Sequence, residues 1–88
     1  MRGSMYYDIA LFIPSNVTLG RLKEILDRMD DMYISADYRT FDYMKDGLYF
    51  DASYPKLQEK DIEEKIKAIG NGDLIIDWET MTEWEADQ

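Results

Sequence analysis

The stretch DGLYFDASY, Asp46 to Tyr54, decides how this chain folds. Its opening Asp-Gly accepts the positive φ of a tight turn, so Lys45-Asp46-Gly47 predicts a hairpin reversal. Before it, the β-prone segment Tyr33–Tyr43 runs into the turn. After it, aromatic and aliphatic residues alternate until Pro55 ends the return strand. Leu48, Phe50 and Ala52 then point to one side, and Tyr49, Asp51 and Ser53 to the other. The first set suits a core and the second a surface.

Upstream, YYDIALFIP (Tyr6–Pro14) is a strand with Tyr7, Ile9, Leu11 and Ile13 on one side. Leu19, Leu22, Ile25, Leu26 and Met29 recur at helical spacing, with Thr18 or Asn16 as N-cap and Gly20 as a mild weakness. Downstream, QEKDIEEKIKAIG places Ile62, Ile66 and Ile69 on one stripe. Its acids come early, its lysines late, and Gly70 stands at the end, which suits a helix. Asp73 to Trp78 is the last strand. The order strand, helix, strand, strand, helix, strand predicts an α+β fold, a two-layer ferredoxin-like βαββαβ sandwich. The expected sheet is antiparallel and four-stranded, ordered 4-1-3-2, with two helices of about four turns each on one face.

The 88 residues make one domain with a thin core. Met1-Arg2-Gly3-Ser4, followed by a second methionine, reads as an added expression leader. Residues 5–79 form the domain, and 80–88 read as an acidic C-terminal tail. There is no cysteine and no histidine. Thiol chemistry, imidazole catalysis and the usual zinc ligands are therefore missing, and no metal or other cofactor is expected. No apolar run reaches the roughly 18–20 residues of a membrane helix, and no signal peptide is visible. A cytoplasmic protein fits, without membrane contact.

The net charge is −9, from 19 acids and 10 bases. A nucleic-acid backbone would repel such a chain, whereas a basic protein would attract it. The charge is also sided. Residues 17–31 and 56–69 hold eight acids and seven bases. The rest holds eleven acids against Arg2, Arg39 and Lys45. Nearly all the excess therefore lies on strands, loops and tail.

Alternation assigns the two sheet faces. The covered face takes Tyr7, Ile9, Leu11, Ile13, Ile34, Ala36, Tyr38, Leu48, Phe50, Ala52, Leu74, Ile76 and Trp78. On the open face each strand presents an aspartate, in the expected sheet order Asp77, Asp8, Asp51, Asp37. Like charges on neighbouring strands cost stability, so folding alone does not explain the row. Exposed aromatics are an interface signal. The candidate partner-binding residues are Tyr6, Asp8, Phe12, Tyr33, Asp37, Phe41, Tyr49, Asp51, Asp77 and Glu79. A slip of one residue would exchange the faces.

LFIPSN, Leu11 to Asn16, resembles the first-strand motif of the RNA-recognition-motif family, which shares this strand order. That resemblance implies stacking aromatics and a basic residue in DGLYFDASY, and the stretch departs from both. Asp46 stands where the basic residue belongs. Leu48 replaces the first aromatic, Tyr49 a small residue, and Ser53 the last aromatic, while Asp51 would have to enter the core. Phosphoryl-transfer chemistry needs cations near the site, and only Arg39 is near. Acylphosphatase-like catalysis needs a phosphate cradle, which PSNVTLG lacks in glycine density and arginine. A non-enzymatic reading follows.

In size and charge the chain is similar to small phage-encoded inhibitors, including anti-CRISPRs and DNA mimics, and to immunity proteins that neutralise nuclease toxins. The resemblance rests on no motif. It implies a protein that blocks the nucleic-acid groove of a basic partner, as a phage-type anti-defence protein or as an immunity or antitoxin protein. A homodimerising structural module is the other class, so monomer and homodimer both stand. The charge argument has a direct check: at about 0.15 M salt the protein should retard neither single- nor double-stranded nucleic acid in a gel.

Overall fold

The computed structural model describes residues 4–55 and 61–86, with side chains to Asp77 in the last strand. The elements are β1 (Ser4–Pro14), α1 (Leu19–Asp31), β2 (Ser35–Met44), β3 (Gly47–Pro55), α2 (Ile62–Gly70) and β4 (Ile75–Ala86). All neighbouring strands are antiparallel, in the order β2-β3-β1-β4. This is the 4-1-3-2 sheet of a ferredoxin-like α+β sandwich. Tyr7, Ile9, Leu11, Ile13, Leu48, Phe50, Ala52 and Tyr54 face Ile25 and Met29 of α1 and Ile62, Ile66 and Ile69 of α2 in one core. Among the described residues, no helix is long and apolar enough to cross a membrane.

Local chemistry sets the element ends. Thr18 caps α1, its hydroxyl accepting from the Arg21 N–H at 3.1 Å. The other end of α1 closes through Tyr33 N–H to the Asp30 carbonyl and Ile34 N–H to the Met29 carbonyl. Tyr33 holds the left-handed position of that closure, at φ 64°. At the hairpin, the loop is Lys45–Asp46, and the positive φ falls on Gly47 alone. A Cβ on Gly47 would lie 2.3 Å from the Ile13 carbonyl oxygen.

The second helix differs from expectation. It spans nine residues, and its left-handed cap is Asn71 rather than Gly70. Gly70 is the last helical residue, and glycine is needed there because a Cβ would lie 2.5 Å from Leu74 Cβ. Residues 58–60, read as its first turn, lie outside the described residues. Two arginines of α1 tie the helix layer together. Arg21 donates to the Ile69 and Gly70 carbonyls and to Asp73, and also pairs with Glu24. Arg28 reaches the Ile69 carbonyl at 3.4 Å. Cations thus meet the last carbonyls of α2, where the helix dipole favours them.

Both edge strands carry an irregularity that alternation alone did not anticipate. On β2, Asp37 pairs with Asp51 and Asp42 with Tyr49, so residues 38–41 stand opposite Phe50 alone. On β4, Asp77 pairs with Ala10 and Thr82 with Asp8, so residues 78–81 stand opposite Ile9 alone. Three surplus residues are an odd number, so inside and outside exchange across the bulge. Phe41, expected on the open face, therefore packs on the core, its ring 4.9 Å from that of Phe50. Tyr38, expected in the core, is 67% exposed. Thr40 holds the β2 bulge: its hydroxyl donates to the Asp37 carbonyl and accepts from the Asp51 N–H.

The segment read as a tail is strand as far as Ala86, paired with β1 down to Ser4. Ser4, assigned to the leader, is accordingly a sheet residue.

Truncation tests this register. Phe50→Ala should cost about 3–5 kcal/mol in denaturant unfolding, and Phe41→Ala roughly half as much because its ring is half-buried. Tyr49→Ala should cost least of the three. A Phe41→Ala variant as stable as wild type would place the bulge wrongly.

Candidate functional site

The face opposite the helices is built by the outward residues of β1 and β3, whose nine-pair register runs without a break. Three rows cross it. The first is Ile75, Phe12, Tyr49 and Asp42; the second is Asp77, Ala10, Asp51 and Asp37. The third holds Asp8 beside Ser53 and Ser35. The aspartates thus lie on this face in the expected strand order, but not in one row. Ala10, not Asp8, pairs with both Asp77 and Asp51, and Asp8 falls in the next row.

The first row is apolar over three of its four positions. The Phe12 and Tyr49 rings meet at 4.5 Å, tilted by 38°. The Tyr49 hydroxyl donates to Asp46 at 2.7 Å, which fixes the ring and raises the phenol above its ordinary range. Ile75 and Tyr49 are 47% and 41% exposed.

The acidic rows are electrostatically uneven. Burial pushes the Asp8 carboxyl up, and the charges of Asp51 and Asp37 push it further. Asp37 moves down, because Arg39 donates to both its carboxylate oxygens, at 3.0 and 3.1 Å, and adds its backbone N–H. Arg39 is almost fully exposed, so this pair adds little to stability. Among the described residues, Asp8 and Asp51 are in no ion pair.

The ten candidate residues divide accordingly. Asp8, Phe12, Asp37, Tyr49, Asp51 and Asp77 share the open face, and Tyr6 lies at its far end, paired with Pro55. Tyr33 is not in a strand; its helix-closing role turns it out of the sheet, 67% exposed. Phe41 belongs to the core side. The side chain of Glu79 lies outside the described residues.

A second apolar surface was not foreseen. On the helix side, Leu19, Tyr43 and Met44 rim a groove floored by Ile13, Val17 and Leu48. The β2 bulge turns Tyr43 to this side, so no strict alternation could have found it. Among the described residues, no group of three or more carboxylates is arranged to hold a metal.

No protein-family model matches the chain, and no curated protein is similar to it in sequence.

The pKa of Asp8 yields a signed prediction. A carboxyl raised in the folded state favours folding while protonated, and that contribution is lost as pH rises through its folded pKa. Asp8→Asn should therefore raise the melting temperature at pH 7. The gain should vanish below about pH 4, where the unfolded carboxyl is also protonated. A gain of the same size at pH 3 and pH 7 would contradict a carboxyl raised by burial and repulsion.

Proposed function

We propose that this protein is a non-enzymatic inhibitor that occupies the nucleic-acid-binding groove of a basic protein with the open face of its sheet. A phage-type anti-defence protein of the anti-CRISPR kind is the concrete form. The observation that carries the reading is the register that sets Asp37, Asp51 and Asp77 in one row of the helix-free face with Asp8 in the next, where burial and then repulsion by Asp51 and Asp37 raise the Asp8 carboxyl. Such repulsion costs stability in the free protein, and a cationic partner would relieve it. Asp51 and Asp37 sit on adjacent strands, with Asp77 two strands from Asp51. They span a row of negative charge at strand spacings of about 4.8 Å. Regular carboxylates on a fixed frame can stand where phosphates would stand, and a basic groove does not separate the two by charge alone. Phe12 and Tyr49 add dry contact area beside the charges.

The test is charge reversal on two layers. Captured partners are identified from a lysate, and the nucleic-acid binding of the purified partner is then titrated with each variant. Asp8→Lys with Asp51→Lys should keep the melting temperature and lose inhibition, since mismatched charge at such contacts costs several kcal/mol. Glu63→Lys with Glu64→Lys makes the same change in net charge on exposed positions of α2 and should inhibit like wild type. Wild-type inhibition should weaken as salt rises, because steering is screened over about 8–10 Å. Equal loss from both double variants would mean that net charge alone acts. Loss from the helix variant alone would move the contact to the other layer.

A further inference from the structure

The groove between the start of α1 and the end of β2 lies on the helix side, away from the open face. It measures about 210 Å³, and the residues lining it are uncharged. Its rim projects into solvent: Leu19 is 83% exposed and Tyr43 71%. The apolar surface continues along β2. Tyr43 meets Phe41 edge-on at 6.3 Å, and Phe41 meets the exposed Tyr38 at 4.9 Å. Contiguous apolar surface of this kind marks a contact site on a small protein. Size decides what enters. Drug-sized ligands occupy about 300–1,000 Å³, whereas an apolar cavity of about 150 Å³ takes up one benzene ring. The groove therefore suits single side chains of a protein. Residues 1–3, 56–60 and 87–88 join the sheet beside Ser4, Pro55 and Ala86, at the end opposite Pro14 and Gly47. The nine residues of β3 separate that end from the groove, roughly 30 Å. Five extended residues reach only about 18 Å, so the cover comes from another molecule.

We propose that this groove is one half of a two-fold interface between two copies of the chain, with Leu19 and Tyr43 of each copy entering the groove of the other. The patch carries a recess and projecting apolar side chains together. A two-fold interface needs that combination, because one surface must complement itself. Charge selects the same surface. Each chain carries −9, and this repulsion opposes self-association. It is least where charge is balanced. Residues 17–31 and 56–69 hold eight acids against seven bases, so the helix layer is nearly neutral, and the groove itself is uncharged. The open face would set the carboxylates of Asp8, Asp37, Asp51 and Asp77 against those of a second copy. A basic partner gains no charge complementarity from the groove and is drawn to the open face instead. Tyr43 reaches the groove only because β2 bulges, so the irregularity that blunts the edge strand also builds the contact. Joined this way, the two copies turn their open faces outward, and pairing leaves the acidic surface free whatever it binds.

Sedimentation equilibrium of the full chain tests the pairing. Wild type should pass from 10.4 kDa to twice that mass as its concentration rises through about 1–100 µM. Raising salt from about 0.05 to 0.5 M should tighten the dimer, because screening weakens the repulsion between like-charged copies and leaves the uncharged contact intact. Leu19→Gln with Tyr43→Gln keeps the net charge and should stay at 10.4 kDa throughout. Tyr49→Gln with Ile75→Gln removes exposed apolar groups from the open face instead and should dimerise like wild type. Melting curves verify that both double variants are folded. A wild type that stays at 10.4 kDa over the whole range would overturn the two-fold interface. So would a dimer that survives the groove substitutions, one lost equally in both double variants, or one that weakens as salt rises. A dimer lost only in the open-face variant would move the contact between copies to the sheet.

Discussion

The uninterrupted pairing of β1 with β3 is the constraint on which everything else rests. Every inward pair in that ladder is buried: Tyr7 with Tyr54, Ile9 with Ala52, Leu11 with Phe50, Ile13 with Leu48. The three central outward pairs are polar, small or aromatic: Asp8 with Ser53, Ala10 with Asp51, Phe12 with Tyr49. A slip of one residue would carry Asp8 and Asp51 into the core and Leu11 and Phe50 into water. Burial on one side therefore specifies the arrangement on the other.

The edge strands obey a looser rule. Each departs from its central neighbour by three extra residues, β2 opposite Phe50 and β4 opposite Ile9. Bulges of this kind twist an edge away from further pairing, which protects an open sheet from joining other sheets. They also redistribute side chains. On β2 the bulge sends Phe41 into the core and Tyr43 to the helix side, and it curls Asp37 into contact with Arg39. Thr40 makes this possible, since its hydroxyl supplies the partners the interrupted ladder lacks.

The two layers divide the physical tasks. In the helix layer, arginines of α1 meet carbonyls and carboxylates at the end of α2, so charge there is spent on holding the layer together. In the sheet layer, Asp8 and Asp51 repel each other across β1 and β3, and burial makes Asp8 more costly to ionise. A protein that only had to fold would gain from a lysine there. The proposed function accounts for the difference, because repulsion in the free protein becomes attraction in a complex with a basic partner.

Periodicity and composition determined the element order, the core of β1 and β3 and the surplus of acid away from the helices; the 4-1-3-2 sheet order followed as the usual arrangement of that element order, and the cap of α1 stayed between Thr18 and Asn16. Each depends on neighbours close in sequence or on a strict period of two, and local chemistry is enough to read it. Tertiary structure decided what alternation cannot encode. Tyr33 looks like a strand residue, yet it closes α1, because Ile34 and Met29 meet in the core and leave it the left-handed position. Phe41 and Tyr38 exchange their expected places because the bulge is fixed by how β2 meets β3, with Phe41 on Phe50 and Thr40 on the Asp51 N–H, and strict alternation does not encode it. The stretch after Glu79 reads as an acidic tail by composition, but it is a strand because β1 offers an edge to pair with. The rows that the aspartates occupy, with Asp8 one step from the row of Asp77, Asp51 and Asp37, follow from pairing too. Which carboxylates become neighbours is a matter of register between strands distant in sequence, and only the folded sheet sets that.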